Sequence, residues 1–475
     1  MLLKEIISGE SNNVEFKEML PDKHIKYMKT VVAFANGKGG KIIFGVKDDT
    51  REIVGINNES IFKTIDSITN AISDLVEPKI IPNIILQTIN DKTLIVVEIE
   101  SSKPKPFYIK SEGILRGVYV RSGATTRPAD DWRVRELLLE GSNRYYDQQP
   151  CYDMRITEED INNLCHSLKE TAIKNCKSES EKESIKDITQ NTLLSWGVLV
   201  ERDGVIMPTN AFALLTGHYS VYSKVQCAVF KGTIRNIFKD RREFDGPIQN
   251  QVEEVYKYVL SKINLGAKIE GLYRHDIFEM PPTSIRELIA NAITHRSYLD
   301  PGNIQVALYD NRLEITSPGM LAEGVTINKM KEGYSKVRNR AIAYAFAYMR
   351  IIEAWGSGIP KVIKDFKDMD LEEPEFIDYD GDISINLYRS NYSKKEAKGD
   401  KNNDNSDISD NSDNRNKLKI NIINILCENP SITQKELAVK LNVSKRTVIR
   451  ILKKLVEDKV IVREGNNRTG KWIVK

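Results

Sequence analysis

The stretch MPPTSIRELIANAITHRSY (280–298), followed by NIQVALYDNRLEITSPGML (303–321), determines the fold of the middle of the chain. In the first segment, apolar residues recur at helical spacing, which predicts an amphipathic helix. The second segment is typical of two strands joined by a turn. Glu287 and Asn291 lie four residues apart in the otherwise apolar helix, so they share one face. The pattern predicts a mixed α and β domain with a polar site on that face.

Helical and strand patterns alternate throughout residues 149–392. A helical run, KVRNRAIAYAFAYMRIIEAWGSGIPKVI (336–363), carries a Gly-Ser-Gly bend. Together these motifs resemble the GHKL-like domain that is often named as a RecG-related C-terminal domain. The resemblance implies ATP as a ligand, with Glu287 as the activator of water and Asn291 as the magnesium ligand. The further residues that it places next to the nucleotide are Gly319, Gly356 and Gly358.

One position departs from the family pattern. The family's adenine-reading Asp-x-Gly-x-Gly turn is replaced by Thr316-Ser-Pro-Gly-Met320, so the Asp that would accept the adenine amino group is absent. Pro318 also removes a backbone donor. The departure favours nucleotide binding over hydrolysis. Ser284 and Glu287 have capping-box spacing, which is the purely structural alternative for this glutamate.

The N-terminal 143 residues contain four short motifs. In chain order they are ESNNVEFK (10–17), AFANGKGGKIIFGV (33–46), TLIVVEIE (93–100) and VYVRSGATTRPAD (118–130). In this order the motifs resemble the Schlafen-type AlbA-like domain. The resemblance implies a DNA- or RNA-binding α/β domain over residues 1–143. In Schlafen nucleases, an acidic triad in this domain is associated with cleavage of structured RNA.

Three carboxylates match that triad: Glu10, Glu15 and Asp48. Carboxylates that converge hold divalent cations such as Mg²⁺ or Mn²⁺, which polarise a phosphate and generate hydroxide. The alternative is structural, because Glu15 can pair with Lys17 and Asp48 belongs to an ordinary acidic turn. Basic residues near the same motifs predict a phosphate-contact surface, for which a salt-bridged surface loop is the alternative. These basic residues are Arg116, Arg121 and Arg127.

Residues 394–416 are rich in Asn, Asp, Ser and Lys, which predicts a flexible linker before a C-terminal tail, residues 417–475. The tail shows a helix, a capping box at Thr433-Gln-Lys-Glu436 that opens a second helix, a turn, a third helix and a hairpin. This order resembles the winged helix-turn-helix, a DNA-binding fold. The nucleic-acid contacts that the resemblance implies are Lys445, Arg446, Thr447 and Arg450 in the recognition helix and Arg463, Arg468 and Lys471 in the wing.

Charge supports this assignment of the tail. The whole chain of 475 residues has 70 Lys and Arg against 67 Asp and Glu, a net charge of +3. The tail alone has 14 Lys and Arg against 5 Asp and Glu, a net charge of +9, which leaves −6 for residues 1–416. A basic module joined to a mildly acidic body favours a phosphate-rich partner for the tail. A basic protein-docking module is the alternative.

A segment of the hairpin, GNNRTGKW (465–472), matches a phosphate-loop signature except at Trp472, where Ser or Thr is required. No other such motif occurs in the sequence, so a motor helicase is excluded. No apolar run is long enough for a membrane span, and the five cysteines show no paired spacing, so we expect a cytoplasmic protein with reduced thiols.

The sequence therefore predicts an α+β multidomain protein with an AlbA-like domain, a GHKL-like domain and a winged helix-turn-helix tail. The favoured function is a nucleic-acid-binding regulatory protein, a transcriptional regulator whose middle domain senses nucleotide or assembles homo-oligomers. Two alternatives remain. One is a Schlafen-like metal-dependent nuclease, in phage defence or RNA control, and the other is an ATPase switch.

Overall fold

The computed structural model describes residues 2–57, 59–218, 223–270, 273–322, 324–353, 355–379 and 381–389, with the backbone alone at 4, 266–270 and 273–277. In the tail it describes 422, 425–426, 430, 432–433, 436–437, 448, 451–452, 455, 461–464 and 471–474, with the backbone alone at 461–464, 471, 473 and 474. The chain forms two compact units, Met1–Lys398 and Gly399–Lys475. The predicted linker lies outside the described residues, and the predicted domain boundaries near 143 and 149 remain predictions.

The N-terminal part of the first unit is a four-stranded sheet with helices. Its elements are α1 (Leu2–Ser8), β1 (Val14–Lys17), α2 (Ile25–Asn36), β2 (Gly40–Phe44), α3 (Ile61–Leu75), β3 (Val76–Glu77), β4 (Asn83–Ile89), β5 (Lys92–Ile99), β6 (Tyr108–Ile109), α4 (Gly113–Arg116), β7 (Tyr119–Ser122), β8 (Thr125–Pro128) and α5 (Asp131–Gly141). The sheet order is β1-β2-β5-β4, in which β1 and β2 are parallel and the other pairs antiparallel.

Helix α2 is the centre of this region, because nine of its residues are buried. Its last residue, Asn36, is fully buried and joins two other segments through its side-chain amide. It donates to the carbonyl oxygens of Phe107 and Tyr119 at 2.8 and 3.2 Å and accepts from the Phe107 N–H at 2.7 Å. A buried amide that makes all these bonds fixes the C-terminal end of the helix against the segments that follow the sheet.

The remainder of the first unit is built around a six-stranded sheet. Its elements are a 3₁₀ turn (Tyr146–Gln148), α6 (Glu158–Lys174), α7 (Glu179–Glu183), α8 (Gln190–Trp196), β9 (Leu199–Arg202), β10 (Val205–Pro208), α9 (Asn210–Thr216), β11 (Val225–Lys231), β12 (Ile237–Phe244), α10 (Ile248–Leu260), β13 (Leu265–Glu270), β14 (Tyr273–Phe278), α11 (Pro282–His295), β15 (Ile304–Leu308), β16 (Arg312–Pro318), α12 (Ile327–Lys331), α13 (Arg340–Tyr348), α14 (Gly358–Asp368), β17 (Glu375–Asp378) and β18 (Asp382–Tyr388). The sheet order is β12-β11-β15-β16-β18-β17.

Helix α11 confirms the prediction made for residues 280–298. It begins with Pro282 at its first position, where a missing N–H costs nothing, and it contacts α10, α14 and β16. Ile285, Leu288 and Ile289 are buried in the core, whereas Glu287 and Asn291 are partly exposed. The hydrophobic effect therefore orients this helix and leaves its polar line facing away from the core.

Side chains from three other segments bind the last four carbonyls of α11. Ala292 O accepts from Ser317 Oγ at 2.9 Å, and Ile293 O accepts from Tyr298 Oη at 2.9 Å. Thr294 O accepts from Asn339 Nδ2 at 2.9 Å, and His295 O accepts from Arg338 Nη1 at 3.2 Å. Helix ends leave these carbonyls without intrahelical partners, so the four bonds complete the helix inside the protein.

The second unit has an apolar core and one described strand pair. Strands β19 (Ile461–Glu464) and β20 (Lys471–Val474) are antiparallel, as the hairpin prediction requires. Thr433 and Glu436 form the predicted capping box, with reciprocal bonds of 2.9 and 3.2 Å between side chains and backbone N–H groups. The core residues are Ile422, Leu426, Ile432, Leu437, Val448, Ile451, Leu452, Leu455 and Trp472.

Within the described ranges, no helix is long and apolar enough to cross a membrane. None of the four cysteines that the structure describes, Cys151, Cys165, Cys176 and Cys227, is in a disulfide. The observed mixture of helices and sheets confirms the predicted α+β multidomain class.

Candidate functional site

A cavity of about 410 Å³ lies beside the polar face of α11. The residues predicted to contact a nucleotide all line it, although they are separated by up to 71 positions in the sequence. They are Glu287, Asn291, Gly319, Gly356 and Gly358. The structure thus brings together the five residues that the sequence named for this site.

Glu287 and Asn291 form a pair at the cavity wall. Asn291 Nδ2 donates to Glu287 Oε1 at 3.1 Å, one helical turn away. Burial raises the pKa of Glu287, and the negative charge of Glu353 adds to that rise. A partly buried carboxylate with a raised pKa beside an amide is an arrangement that binds a cation or accepts a proton.

Two of the glycines are required by close approach. A Cβ atom at Gly358 would lie 2.0 Å from Glu287 Oε1, so any side chain there would displace the carboxylate. Gly319 has a φ of +114°, and a Cβ there would lie 1.9 Å from Arg338 Nη1. The two glycines therefore give room to one acidic and one basic group at the cavity.

The basic side of the cavity was missed by the sequence analysis. Lys336, Arg338 and Arg340 alternate along the segment between α12 and α13, and all three line the cavity. Arg338 donates to His295 O and, at 2.7 Å, to Met320 O. The only sequence signal was the alternation of basic residues in KVRNR (336–340), which also fits a solvated surface.

Apolar side chains form much of the remaining wall. They include Ile315, Met320, Val325, Ala343, Phe376, Ile383 and Ile385. Tyr344 lines the cavity near Arg340, which donates from Nε to its hydroxyl at 3.1 Å. Apolar walls with a few converging charged groups are the usual composition of a site for a small organic ligand.

His295 also lines the cavity. Burial, together with the charge of Arg338, lowers its pKa to about 4, so the imidazole is neutral near pH 7. The wall formed at this end of α11 therefore takes its positive charge from Arg338 and not from the histidine.

The three N-terminal carboxylates lie close to one another, and two of them, Glu15 and Asp48, are bound by the protein's own cations. Lys17 Nζ lies 3.0 Å from Glu15 and 3.5 Å from Asp48. Glu15 also binds Arg121 Nη1 at 2.6 Å, and Glu10 Oε1 accepts the Phe16 N–H at 2.8 Å. The ammonium of Lys17 therefore stands between two of the carboxylates.

This arrangement does not fit a divalent cation. Burial raises the pKa values of Glu10 and Asp48, and the neighbouring carboxylate of Glu15 raises both further. Lys17 and Arg121 offset most of the negative charge that a metal would need. Over the part of the chain that the structure describes, no group of three His, Cys, Asp or Glu side chains is arranged to hold a metal ion.

The predicted phosphate-contact arginines have different environments. The side chain of Arg121 is 6% exposed, stacks over Phe34 and donates to Ser11 O at 2.6 Å and Thr126 Oγ1 at 3.0 Å. Arg116 and Arg127 are exposed. The structure thus commits Arg121 to the interior and leaves only the other two available to a nucleic acid.

The predicted contacts of the tail are described only in part. Arg463 lies on β19 opposite Trp472, and Lys471 lies on β20 opposite Glu464. The remaining predicted contacts, Lys445, Arg446, Thr447, Arg450 and Arg468, lie outside the described residues.

Family models match three segments of the chain. Residues 10–130 match "Schlafen, AlbA_2", residues 302–387 match "Putative ATP-dependent DNA helicase recG C-terminal", and residues 415–462 match "Winged helix-turn-helix DNA-binding". All three resemblances are confirmed. The second match contains Gly319, Gly356 and Gly358 and begins after α11, which carries Glu287 and Asn291.

One curated relative is an uncharacterized ATP-binding protein of Ureaplasma parvum, 42% identical over 76 residues. That match covers 15% of this chain and only 21% of the relative. Among solved structures, a protein of Corynebacterium diphtheriae is 17% identical, covers 98% of this chain and 92% of its own, and has a TM-score of 0.42.

A second solved structure is the N-terminal domain of a RecG-related putative helicase from Nitrosomonas europaea. It is 27% identical and covers 27% of this chain and 91% of its own, with a TM-score of 0.22. Both TM-scores are too low to support a conclusion about this chain.

Proposed function

We propose that the protein is a nucleic-acid-binding regulator, most simply a transcriptional regulator, whose middle domain binds ATP or a related nucleotide. The observation that carries the proposal is the convergence of Glu287, Asn291, Gly319, Gly356 and Gly358 on one cavity. The winged helix-turn-helix match indicates DNA binding by the tail. The name of the Ureaplasma relative and the RecG-type match support ATP as the ligand.

The walls of the cavity suit the parts of a nucleotide. Its apolar side chains offer contact area for a base, and its basic residues offer charge to phosphates. The oxygen atoms of Asn291 and Glu287 are of the kind that Mg²⁺ takes, so these two residues would hold a magnesium ion that accompanies the nucleotide. Magnesium would there screen the phosphate charge.

The turn after β16 favours nucleotide sensing over hydrolysis. It has no carboxylate to accept the adenine amino group, and Ser317 Oγ already donates to Ala292 O. The ATPase switch therefore has less support than a binding role. The oligomer-forming role of the middle domain remains a prediction.

Nucleotide binding is tested by thermal unfolding with millimolar MgATP. Wild-type protein should unfold at a temperature several degrees higher with nucleotide, because a ligand that binds the folded state stabilises it. Asn291→Ala should lose this shift, and Asn163→Ala, an exposed asparagine on α6, should keep it. An unshifted wild type would refute nucleotide binding, and steady release of phosphate that stops in Glu287→Gln would establish the ATPase alternative.

DNA binding is tested by the salt dependence of affinity for duplex DNA. Removing the two positive charges in Arg446→Ala with Arg450→Ala should weaken binding and lower the slope of log affinity against log salt by about 2. Lys182→Ala with Lys186→Ala provides a control with the same change of charge in the middle domain. An unchanged slope in the tail variant would refute the recognition-helix assignment.

The nuclease alternative has one observation in its favour, the Schlafen AlbA_2 match that contains all three carboxylates. The bonds of Lys17 and Arg121 argue against a metal there. Incubation of wild-type protein with tRNA or DNA in Mg²⁺ or Mn²⁺, beside Glu15→Ala, decides the matter. Cleavage that depends on Glu15 would replace the binding role with an enzymatic one.

A further inference from the structure

One residue of the N-terminal region contacts an arginine that lines the cavity. Glu136, on α5, places Oε1 3.4 Å from Arg338 Nε and also binds Arg133 through Oε2. The side chains of Glu136 and Arg338 are 12% and 19% exposed, so water screens this contact only weakly. A carboxylate of α5 thus contacts Arg338, a residue of the cavity wall that lies within the RecG-type match.

The charges at this contact are unequal. Two arginines face one carboxylate, and His295 beside them is neutral. Burial alone would raise the pKa of Glu136, but the charges of Arg338 and Arg133 outweigh it and lower the pKa. Glu136 is therefore ionised near pH 7, and a surplus of one positive charge remains next to the cavity.

Arg338 has more N–H donors than its contacts within the protein use. A guanidinium carries five N–H groups. One bonds to His295 O, one to Met320 O, and the Nε group faces Glu136, which leaves one N–H on each terminal nitrogen. Both remaining N–H groups are donors of a charged group, and guanidinium N–H groups bind phosphate oxygens strongly.

The chain directly after Arg338 is held by two sets of hydrogen bonds. Asn339 is fully buried and donates to Thr294 O and Arg296 O, both at 2.9 Å. Asp147, in the 3₁₀ turn, accepts the Ile342 N–H at 3.0 Å in the first turn of α13. Together with the two carbonyl bonds of its own side chain, these anchors fix Arg338 at the cavity wall, so its charge is in place before a ligand binds.

We propose that Arg338 is the phosphate-recognition residue of the cavity and that Glu136 of the N-terminal region competes with the ligand phosphate for it. The inference rests on the proposed nucleotide binding and names the part of the ligand that is recognised. The two carbonyl oxygens orient the guanidinium, whereas Glu136 supplies mainly opposing charge. The position of α5 therefore sets the affinity of the cavity for phosphorylated ligands, and bound phosphate in turn weakens the hold of α5 on Arg338.

The test is calorimetric titration of the full chain with ATP, ADP and adenosine. Glu136→Gln keeps the shape of the side chain and removes the competing charge, so the affinity for ATP should rise about tenfold, that for ADP less, and that for adenosine less than about twofold. Glu140→Gln, on the same helix and paired with Lys105, should match wild type for all three ligands. Arg338→Met should weaken ATP binding at least about tenfold.

Two results would overturn the inference while leaving nucleotide binding intact: equal ATP affinities of Glu136→Gln and Glu140→Gln, or an adenosine shift as large as the ATP shift. Wild-type protein that binds none of the three ligands would instead refute the proposed function, and this inference with it. Arg338 also binds the carbonyl of His295 at the end of α11. If Arg338→Met unfolds for that reason, Glu136→Gln decides alone.

Discussion

Short motifs with acidic residues predicted two sites, the cavity of the middle domain and the carboxylate cluster of the N-terminal region. The acidic residues of the two sites have different neighbours in the structure. At the cavity, Glu287 has an amide neighbour and open volume in front of it. In the cluster, Glu15 has Lys17 on one oxygen and Arg121 on the other. The chemistry of the acidic residues is the same, and the difference lies in the cations that the fold supplies.

The comparison shows what to look for when carboxylates converge. A group that the protein has already neutralised contributes to stability, whereas one left beside a cavity remains available to a ligand. Lys17 and Arg121 settle the first case inside the N-terminal region. Beside the cavity, Arg338 and Arg133 both contact the single carboxylate of Glu136, so one of the two positive charges is not neutralised by it.

The largest effect is expected from filling the cavity edge. Gly358→Ala places a Cβ where Glu287 Oε1 now lies, so the carboxylate must move away from Asn291. We expect ATP affinity to fall at least about tenfold and stability to fall by about 1–2 kcal/mol, partly offset by the better helix propensity of Ala. Calorimetric titration and urea unfolding measure the two effects.

Gly381→Ala is the matched control, because its Cβ would meet no atom within 4 Å. It should bind ATP as wild type does. Retained ATP affinity in Gly358→Ala would mean that Glu287 takes no part in the ligand site, and the contrast between the two regions would disappear.

A smaller effect is expected from removing a cation from the carboxylate cluster, so that its acidic groups become available to a ligand as Glu287 is at the cavity. Lys17→Met removes the ammonium between Glu15 and Asp48. We expect the free energy of unfolding to fall by about 1 kcal/mol, since the ion pair is partly exposed. Millimolar Mn²⁺ should restore that stability in the variant, because the metal would bind the folded state in place of the ammonium. Unfolding temperatures with and without Mn²⁺ provide the measurement.

Lys47→Met, which removes an exposed ion pair with Glu52, should show neither effect. Stabilisation of wild-type protein by Mn²⁺ to the same extent as Lys17→Met would show that the cluster binds metal despite its lysine, and would restore the nuclease reading.

The smallest effect is expected from pH: acid should change the stability contributions of Glu10 and His295 in opposite directions. The pKa of Glu10 is raised, so its contribution to stability is present below its unfolded pKa and is lost as pH rises through the folded value. The pKa of His295 is lowered to about 4, so its contribution is present above about 6.5 and is lost as pH falls towards 4. The two regions should therefore respond oppositely when pH falls from 7 to 5.

Urea unfolding at pH 7 and pH 5 checks this. Relative to Glu10→Gln, wild type should gain stability at the lower pH; relative to His295→Gln, it should lose stability. The same sign for both residues would contradict the electrostatic account of one of the two regions.

The sequence was sufficient for features that depend on local periodicity. Helix α11 and strands β15 and β16 lie within the segments that predicted them, and Glu287 and Asn291 share a face because four residues make about one turn. The capping box of Thr433 was also confirmed, since it depends on residues three apart.

Features that depend on distant pairing were not accessible in this way. The bond between Glu15 and Lys17 was one of the alternatives, because the residues are neighbours, but the bond between Glu15 and Arg121 joins positions 106 apart. Glu136 and Arg338 are further apart still, and Arg338 lies within the RecG-type match whereas Glu136 lies outside all three matches. Only the folded chain reveals which cation reaches which carboxylate.

The side-chain bonds at the end of α11 have a mechanical consequence. Sliding this helix along its axis would break four hydrogen bonds at once, to Ser317, Tyr298, Asn339 and Arg338. Helix α11 is therefore held in place within the middle domain. Any movement on ligand binding is expected in segments that make fewer hydrogen bonds. The same bonds connect the end of β16, the loop after α11 and the basic segment 336–340 to the end of one helix. A displacement of any one of these segments therefore strains the bonds of the others.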